Sequence, residues 1–214
     1  MTVSIALPTG ALLEGSLDLL GRAGVLKLTQ REVGRRLLLE RGGVRIVLVK
    51  PVDVTAYVDF GAADLGVVGK DQLWETSGDH YELVDLHFGA CTLVMAVPED
   101  STLDGPKTWP AVLRVATKYP RSTAAWFARG GHAAEVIKLN GSVELAPQVG
   151  LADAIVDLTA TGTTLRENRL RVVAEVGRST ARLIANQASL KTRAGAVQEL
   201  VSRIRSAVEE ERGA

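Results

Sequence analysis

Between residues 113 and 164 strand-like and helix-like stretches follow one another without a break, and few architectures accept such a rhythm. Residues 114–116, 135–138 and 154–158 read as strands, with helices expected over 122–130 and 143–149. Strands separated by helices pair in parallel and carry helices on both faces, so the expectation is an α/β fold. The same rhythm opens the chain. Strands are expected at 3–7, 44–49 and 64–68, and helices at 12–22, 53–60 and 70–76. Further strands are expected at 81–86, 91–97, 170–176 and 180–185. A helix over about 190–210 closes the chain, with Val197, Leu200, Val201, Ile204 and Val208 on one core-facing side.

The polar segment 98–110 holds three of the seven prolines and reads as a surface loop. The chain is expected to form two lobes, residues 1–89 with 177–214 and residues 90–176. Ligands of open α/β sheets sit beyond the carboxyl ends of the strands, so a cleft between the lobes is the expected site. The 25 basic residues equal the 25 acidic ones, which leaves none of the positive excess of a nucleic-acid binder. No apolar stretch reaches membrane-spanning length and residues 1–7 read as a strand, not a leader, so a cytoplasmic protein is expected. One cysteine, Cys91, excludes an internal disulfide and reads as a buried thiol. His80, His87 and His132 lack ligand spacing, which argues against structural zinc. No G-x-G-x-x-G follows the first strand, against a dinucleotide-dependent dehydrogenase.

The chemistry is concentrated in L-A-D-A-I-V-D-L-T-A-T-G-T-T-L, residues 151–165. Asp153 and Asp157 bracket an apolar strand, and Thr159, Thr161, Gly162, Thr163 and Thr164 follow as a loop opening a helix. Backbone N–H groups and hydroxyls converging in such a loop suit a phosphate. Adjacent carboxylates suit sugar hydroxyls or a metal-bound water. Alone, D-x-x-x-T-G-x-T fits a capped turn equally well. Three further stretches belong with it: G-A-A-D-L-G-V-V-G-K-D (61–71), R-V-A-T-K-Y-P (114–120) and K-L-N-G-S-V-E-L-A-P (138–147), in which Ser142 reads as a helix cap.

In this order the four stretches resemble the catalytic chain of the ATP phosphoribosyltransferase family, over nearly the whole length. The resemblance implies two α/β lobes of the periplasmic-binding-protein (type II) kind, with parallel-rich sheets and a ligand cleft between the lobes. It implies transfer of a phosphoribosyl group from phosphoribosyl pyrophosphate to N1 of the adenine of ATP, the first step of histidine biosynthesis, with Mg2+ as cofactor. Because the final helix ends near Glu210, the chain looks like the short form. That form implies a homodimer assembling with a regulatory subunit similar to histidyl-tRNA synthetase. Carried over by position, Asp153, Asp157, Thr161, Gly162, Thr163 and Thr164 would bind phosphoribosyl pyrophosphate. Asp64, Gly66, Gly69, Lys118, Tyr119 and Glu144 would bind ATP, with Tyr119 stacking on or flanking adenine. Arg35 and Lys50 would serve catalysis at the pyrophosphate; for Arg35 a solvated surface charge is the equal alternative.

The chain departs from the family pattern where positive charge is expected. L-P-K-G-R is here Leu7-Pro8-Thr9-Gly10-Ala11, an arginine before D-V is Lys50, and an arginine after the cysteine is Thr92. Lysine keeps the charge but not the two-pronged geometry that arginine offers phosphate. An active enzyme with other cations in place of these is one reading. A catalytically weakened paralogue or non-enzymatic ligand-binding subunit of the same fold is the alternative, and a solute-binding protein of that architecture is a third.

Overall fold

The computed structural model describes residues 2–213 and divides into two units, Met1–Gly89 with Thr180–Ala214, and Ala90–Ser179. The chain therefore passes from one unit to the other twice.

The first unit opens with β1 (Val3–Pro8), α1 (Leu13–Arg22), α2 (Gln30–Val33), β2 (Leu38–Arg41) and β3 (Val44–Val49). After a 3-10 turn at Pro51–Asp53 come α3 (Val54–Asp59), β4 (Leu65–Gly69), α4 (Lys70–Glu75) and β5 (Tyr81–Asp85). In the second unit β6 (Cys91–Pro98) leads, through a 3-10 turn at Pro106–Thr108, to β7 (Leu113–Thr117), α5 (Pro120–Arg129) and β8 (Ala134–Lys138). A 3-10 turn at Val143–Leu145 precedes β9 (Ala154–Thr159), α6 (Thr163–Glu167) and β10 (Leu170–Ser179). Back in the first unit, β11 (Ala181–Ala185), α7 (Gln187–Thr192) and α8 (Ala194–Gly213) end the chain.

Each unit is built on one mixed sheet. Strand order is β2-β3-β1-β4-β11-β5 in the first and β10-β6-β9-β7-β8 in the second. Both contain a parallel trio, β3-β1-β4 and β9-β7-β8. The antiparallel strands flank these trios: β2 on β3, β11 between β4 and β5, and β6 on β9 with β10 beyond it.

Alternation along the strands explains why helices cover both faces of the first sheet. Ile5, Leu7, Ile46, Leu48, Leu65 and Leu183 join Leu17 and Leu20 of α1 and the expected face of α8 in one core. The intervening Ala6, Val49, Val68 and Ile184 meet Val54 and Val58 of α3 in another. In the second sheet Val94, Ala96, Ala116 and Ile155 pack with Val143 and with Leu165 of α6.

Four local expectations change. No helix runs over 143–149; the chain makes a 3-10 turn and further turns, and Pro147 supplies no N–H to extend a helix. Ser142 is left-handed (φ 48°) and makes no side-chain cap. The C-terminal helix is split at Arg193 (φ −124°, ψ 27°) into α7 and α8. Finally, β10 continues to Ser179, beyond residue 176, while α2 and β2 are additional elements.

Candidate functional site

The parallel strands of each trio share a carboxyl end, and most of the expected site residues lie at one or other of these two ends. In the second unit Lys118 directly follows β7, Glu144 lies in the turn after β8, and Asp157 is near the end of β9. Asp157 is largely buried. Lys118 Nζ lies 3.7 Å from its Oδ2, and the Leu158 N–H donates to its Oδ1 at 2.9 Å. Burial pushes the Asp157 carboxyl above its ordinary value of 3.8, and the Glu144 charge adds to the effect. Lys118 and the Leu158 N–H oppose this without cancelling it.

The threonine loop begins where β9 ends. Gly162 is left-handed (φ 73°, ψ 3°), which glycine adopts without steric cost, and its N–H donates to Thr159 Oγ1 at 2.8 Å. The hydroxyls of Thr161 and Thr163 lie 3.0 Å apart, and Thr161, Thr163 and Thr164 are exposed. Arg166 spans the loop: Nη1 donates to the Thr161 carbonyl and Nη2 to Thr163 Oγ1, each at 3.2 Å. The sequence reading missed Arg166. Its place four residues after Gly162, one helical turn on, was the available signal.

Asp153 does not join this site. It precedes β9, at the other end of the strand, and four residues of strand separate it from Asp157 by about 13 Å. There it grips Arg114 of β7, with Nη2 donating at 2.6 Å and the backbone N–H at 3.0 Å. The Arg114 hydrogen bond holds its carboxyl below 3.8. Tyr119 is also not an open platform for adenine. It is 8% exposed, its N–H donates to Thr117 Oγ1 (2.9 Å), and its carbonyl accepts from Thr123 Oγ1 (2.7 Å).

In the first unit Lys50 follows β3 and is exposed, at the same strand end as the Thr9-Gly10-Ala11 turn after β1. Exposed Arg35 comes just before β2, whose Leu38 pairs with Val47, so it enters the sheet near that end too. Gly69 closes β4, and the Asp71 carboxylate folds over its α-carbon. Two expected residues lie elsewhere. Gly66 is under α3: a Cβ there would come within 2.7 Å of Val58 and 2.9 Å of Val54, so the glycine serves close packing. Asp64 precedes β4 at its amino end and is 3% exposed. It accepts from Ser4 N and Oγ (both 2.8 Å), from Ser189 Oγ (2.7 Å) and from Arg193 (3.1 Å). Burial acts to raise its carboxyl, but these donors outweigh burial and hold it below 3.8. All of its capacity is spent on tying β1 to α7 and α8.

A family model described as HisG, ATP phosphoribosyltransferase, matches residues 50–206. An ATP phosphoribosyltransferase of Rubrobacter xylanophilus is 49% identical over 202 residues, 94% of each chain. The solved ATP phosphoribosyl transferase (HisG:HisZ) complex from Thermotoga maritima contains a chain 30% identical, with TM-score 0.81, over 98% of this chain and 100% of that one. The periplasmic aliphatic sulphonate binding protein SsuA from Escherichia coli shares the fold at 15% identity, with TM-score 0.64, over 99% of this chain and 70% of that one.

The fold defines an α/β protein of the periplasmic-binding-protein type, with a hydroxyl-rich turn at the carboxyl end of a parallel strand trio. Within that class, the chain belongs to the ATP phosphoribosyltransferase family. Its reaction, the first step of histidine biosynthesis, joins ATP to phosphoribosyl pyrophosphate through adenine N1 and releases pyrophosphate.

Proposed function

We propose that phosphoribosyl pyrophosphate is held at the carboxyl end of β8-β7-β9, with residues 159–164 around its 5-phosphate and Asp157 facing the ribose hydroxyls. The observation that carries this reading is a buried, raised-pKa carboxylate beside Lys118 and Glu144, two residues before a hydroxyl-rich turn. Transfer passes through an oxocarbenium-like state at C1, which an ionised carboxylate near the ribose stabilises. Lys118 favours the ionised form of Asp157 against its burial. Glu144 borders the nucleotide. No protein nucleophile is required; alignment of two polyanions is the main contribution.

Among the described residues no three His, Cys, Asp or Glu side chains converge as a metal cage. Asp157 and Glu144 nonetheless fit Mg2+ that arrives on pyrophosphate oxygens and keeps its waters. The ion would neutralise charge on the departing pyrophosphate. The Thermotoga HisG:HisZ complex supports assembly with a HisZ-like regulatory subunit; the homodimer within that assembly is carried by the family resemblance. No helix among the described residues is long and apolar enough to cross a membrane. We assign the protein to the cytoplasm from the biosynthetic role of its family.

The test combines ATP, phosphoribosyl pyrophosphate and Mg2+ with the purified chain, with and without a candidate regulatory subunit. Phosphoribosylated ATP is expected, and no product in either mixture would favour the weakened paralogue. Asp157→Ala should weaken phosphoribosyl pyrophosphate binding about tenfold or more, the scale of a lost hydrogen bond to a charged group. Undiminished affinity would remove residue 157 from the site.

A further inference from the structure

We infer that Arg166 is a positioning residue for the phosphoribosyl turn, bracing Thr161 and Thr163 about Gly162 so that the sugar phosphate meets a turn already formed. The inference rests on the assignment of residues 159–164 to the 5-phosphate.

Arg166 is the fourth residue of α6, and its own N–H donates to the Gly162 carbonyl at 3.1 Å. The side chain then folds back over the turn that precedes the helix. One arm of the guanidinium donates to the Thr161 carbonyl and the other to Thr163 Oγ1, both at 3.2 Å. These acceptors flank the left-handed glycine. A Cβ at Gly162 would lie 3.1 Å from Nη1, so the guanidinium rests directly against the point where the backbone reverses.

Two consequences follow from this geometry. A glycine-hinged, exposed turn has many alternative conformations, and apparent affinity falls with the fraction of molecules in the competent one. A planar fork that spans both sides of the hinge selects that conformation before ligand arrives. The fork also orients chemistry. Because Thr163 Oγ1 accepts from Arg166, its hydroxyl proton points away from the cation, towards Thr161 Oγ1 at 3.0 Å or towards an incoming oxyanion.

The experiment titrates ribose 5-phosphate into the full-length chain by calorimetry, with ATP in a parallel titration and thermal melting as a control for folding. Arg166→Met should weaken ribose 5-phosphate about tenfold while ATP affinity and melting stay with the parent. Arg166→Lys should be impaired as much as Arg166→Met, because an ammonium cannot span both acceptors. Full recovery in Arg166→Lys would overturn the brace in favour of a simple counter-charge, and unchanged affinity in Arg166→Met would overturn it outright. Gly162→Val, strained at φ 73°, separates the two layers of the argument. If Gly162→Val binds ribose 5-phosphate normally, or the parent does not bind it, the turn is not the phosphate site. If Gly162→Val fails and Arg166→Met does not, the turn stands and the brace falls.

Discussion

At the scale of single residues, Asp153 and Asp157 show how one motif divides between structure and chemistry. They are four apart on one strand, hence on the same face, but Asp153 is at the amino end and Asp157 near the carboxyl end. Asp153 is paired with Arg114 and its carboxyl is lowered; Asp157 is buried and its carboxyl is raised. The raised group binds its proton more tightly in the folded chain than in the unfolded one. Its stabilising effect is complete below 3.8, and is lost as pH rises through the higher folded value. A charge on Asp157 is therefore a liability to folding, tolerated for its chemistry. Asp157→Asn should melt above the parent at pH 7, with the gap closing as pH falls through the folded value towards 3.8, and should bind phosphoribosyl pyrophosphate more weakly. Melting curves across that range check the sign; a lower melting temperature at pH 7 would contradict it. The acidic pair was legible in the sequence, but which member stood at the useful end was not. That distinction depends on register: Ala154 pairs with Val115, which brings Asp153 to Arg114.

Among the elements, the long apolar and alternating stretches were readable because burial on two faces leaves few other solutions. The strands of both parallel trios lie where alternation puts them. Short elements were less readable. The capping box of Thr29 and Glu32 makes a four-residue α2, too short for a periodic signal. The β2 strand has one buried residue in four, and its pairing with β3 defines it more than its sequence does. The family resemblance places Gly66 at the nucleotide, yet Gly66 exists for α3 to sit close to β4. The resemblance places Asp64 there too, but Ser4, Ser189 and Arg193, the partners that occupy Asp64, come from distant sequence. Its loss should be felt by elements, not by ligand. Asp64→Ala would strand those donors and should cost about 3–5 kcal/mol, while ATP affinity of the folded fraction is unchanged. Urea unfolding with ATP titration measures both; a loss of ATP affinity without a loss of stability would return Asp64 to the site.

For the whole molecule, the family is clear and the departures in charge become a specific question. The turn after β1 carries Thr9 and Ala11 where the resembling family has cations, while Lys50 and Arg35 are at the same strand end. If a cation there limits the reaction, Ala11→Arg should raise turnover by about 10-fold or more, as one charged hydrogen bond felt at the transition state allows. Steady-state rates with both substrates saturating would decide it, and an unchanged kcat would mean that the cations present suffice. The double passage of the chain between the units has a further consequence during synthesis. The sheet order places β11 between β4 and β5, so β5 acquires its neighbour among the described strands when residues 181–185 have been made. On the ribosome the inserted segment, with all of its strands already translated, can complete its hydrogen-bond ladder while the amino-terminal portion still waits for its last strand. Production of a finished molecule is thereby gated by the codons for residues 181–185.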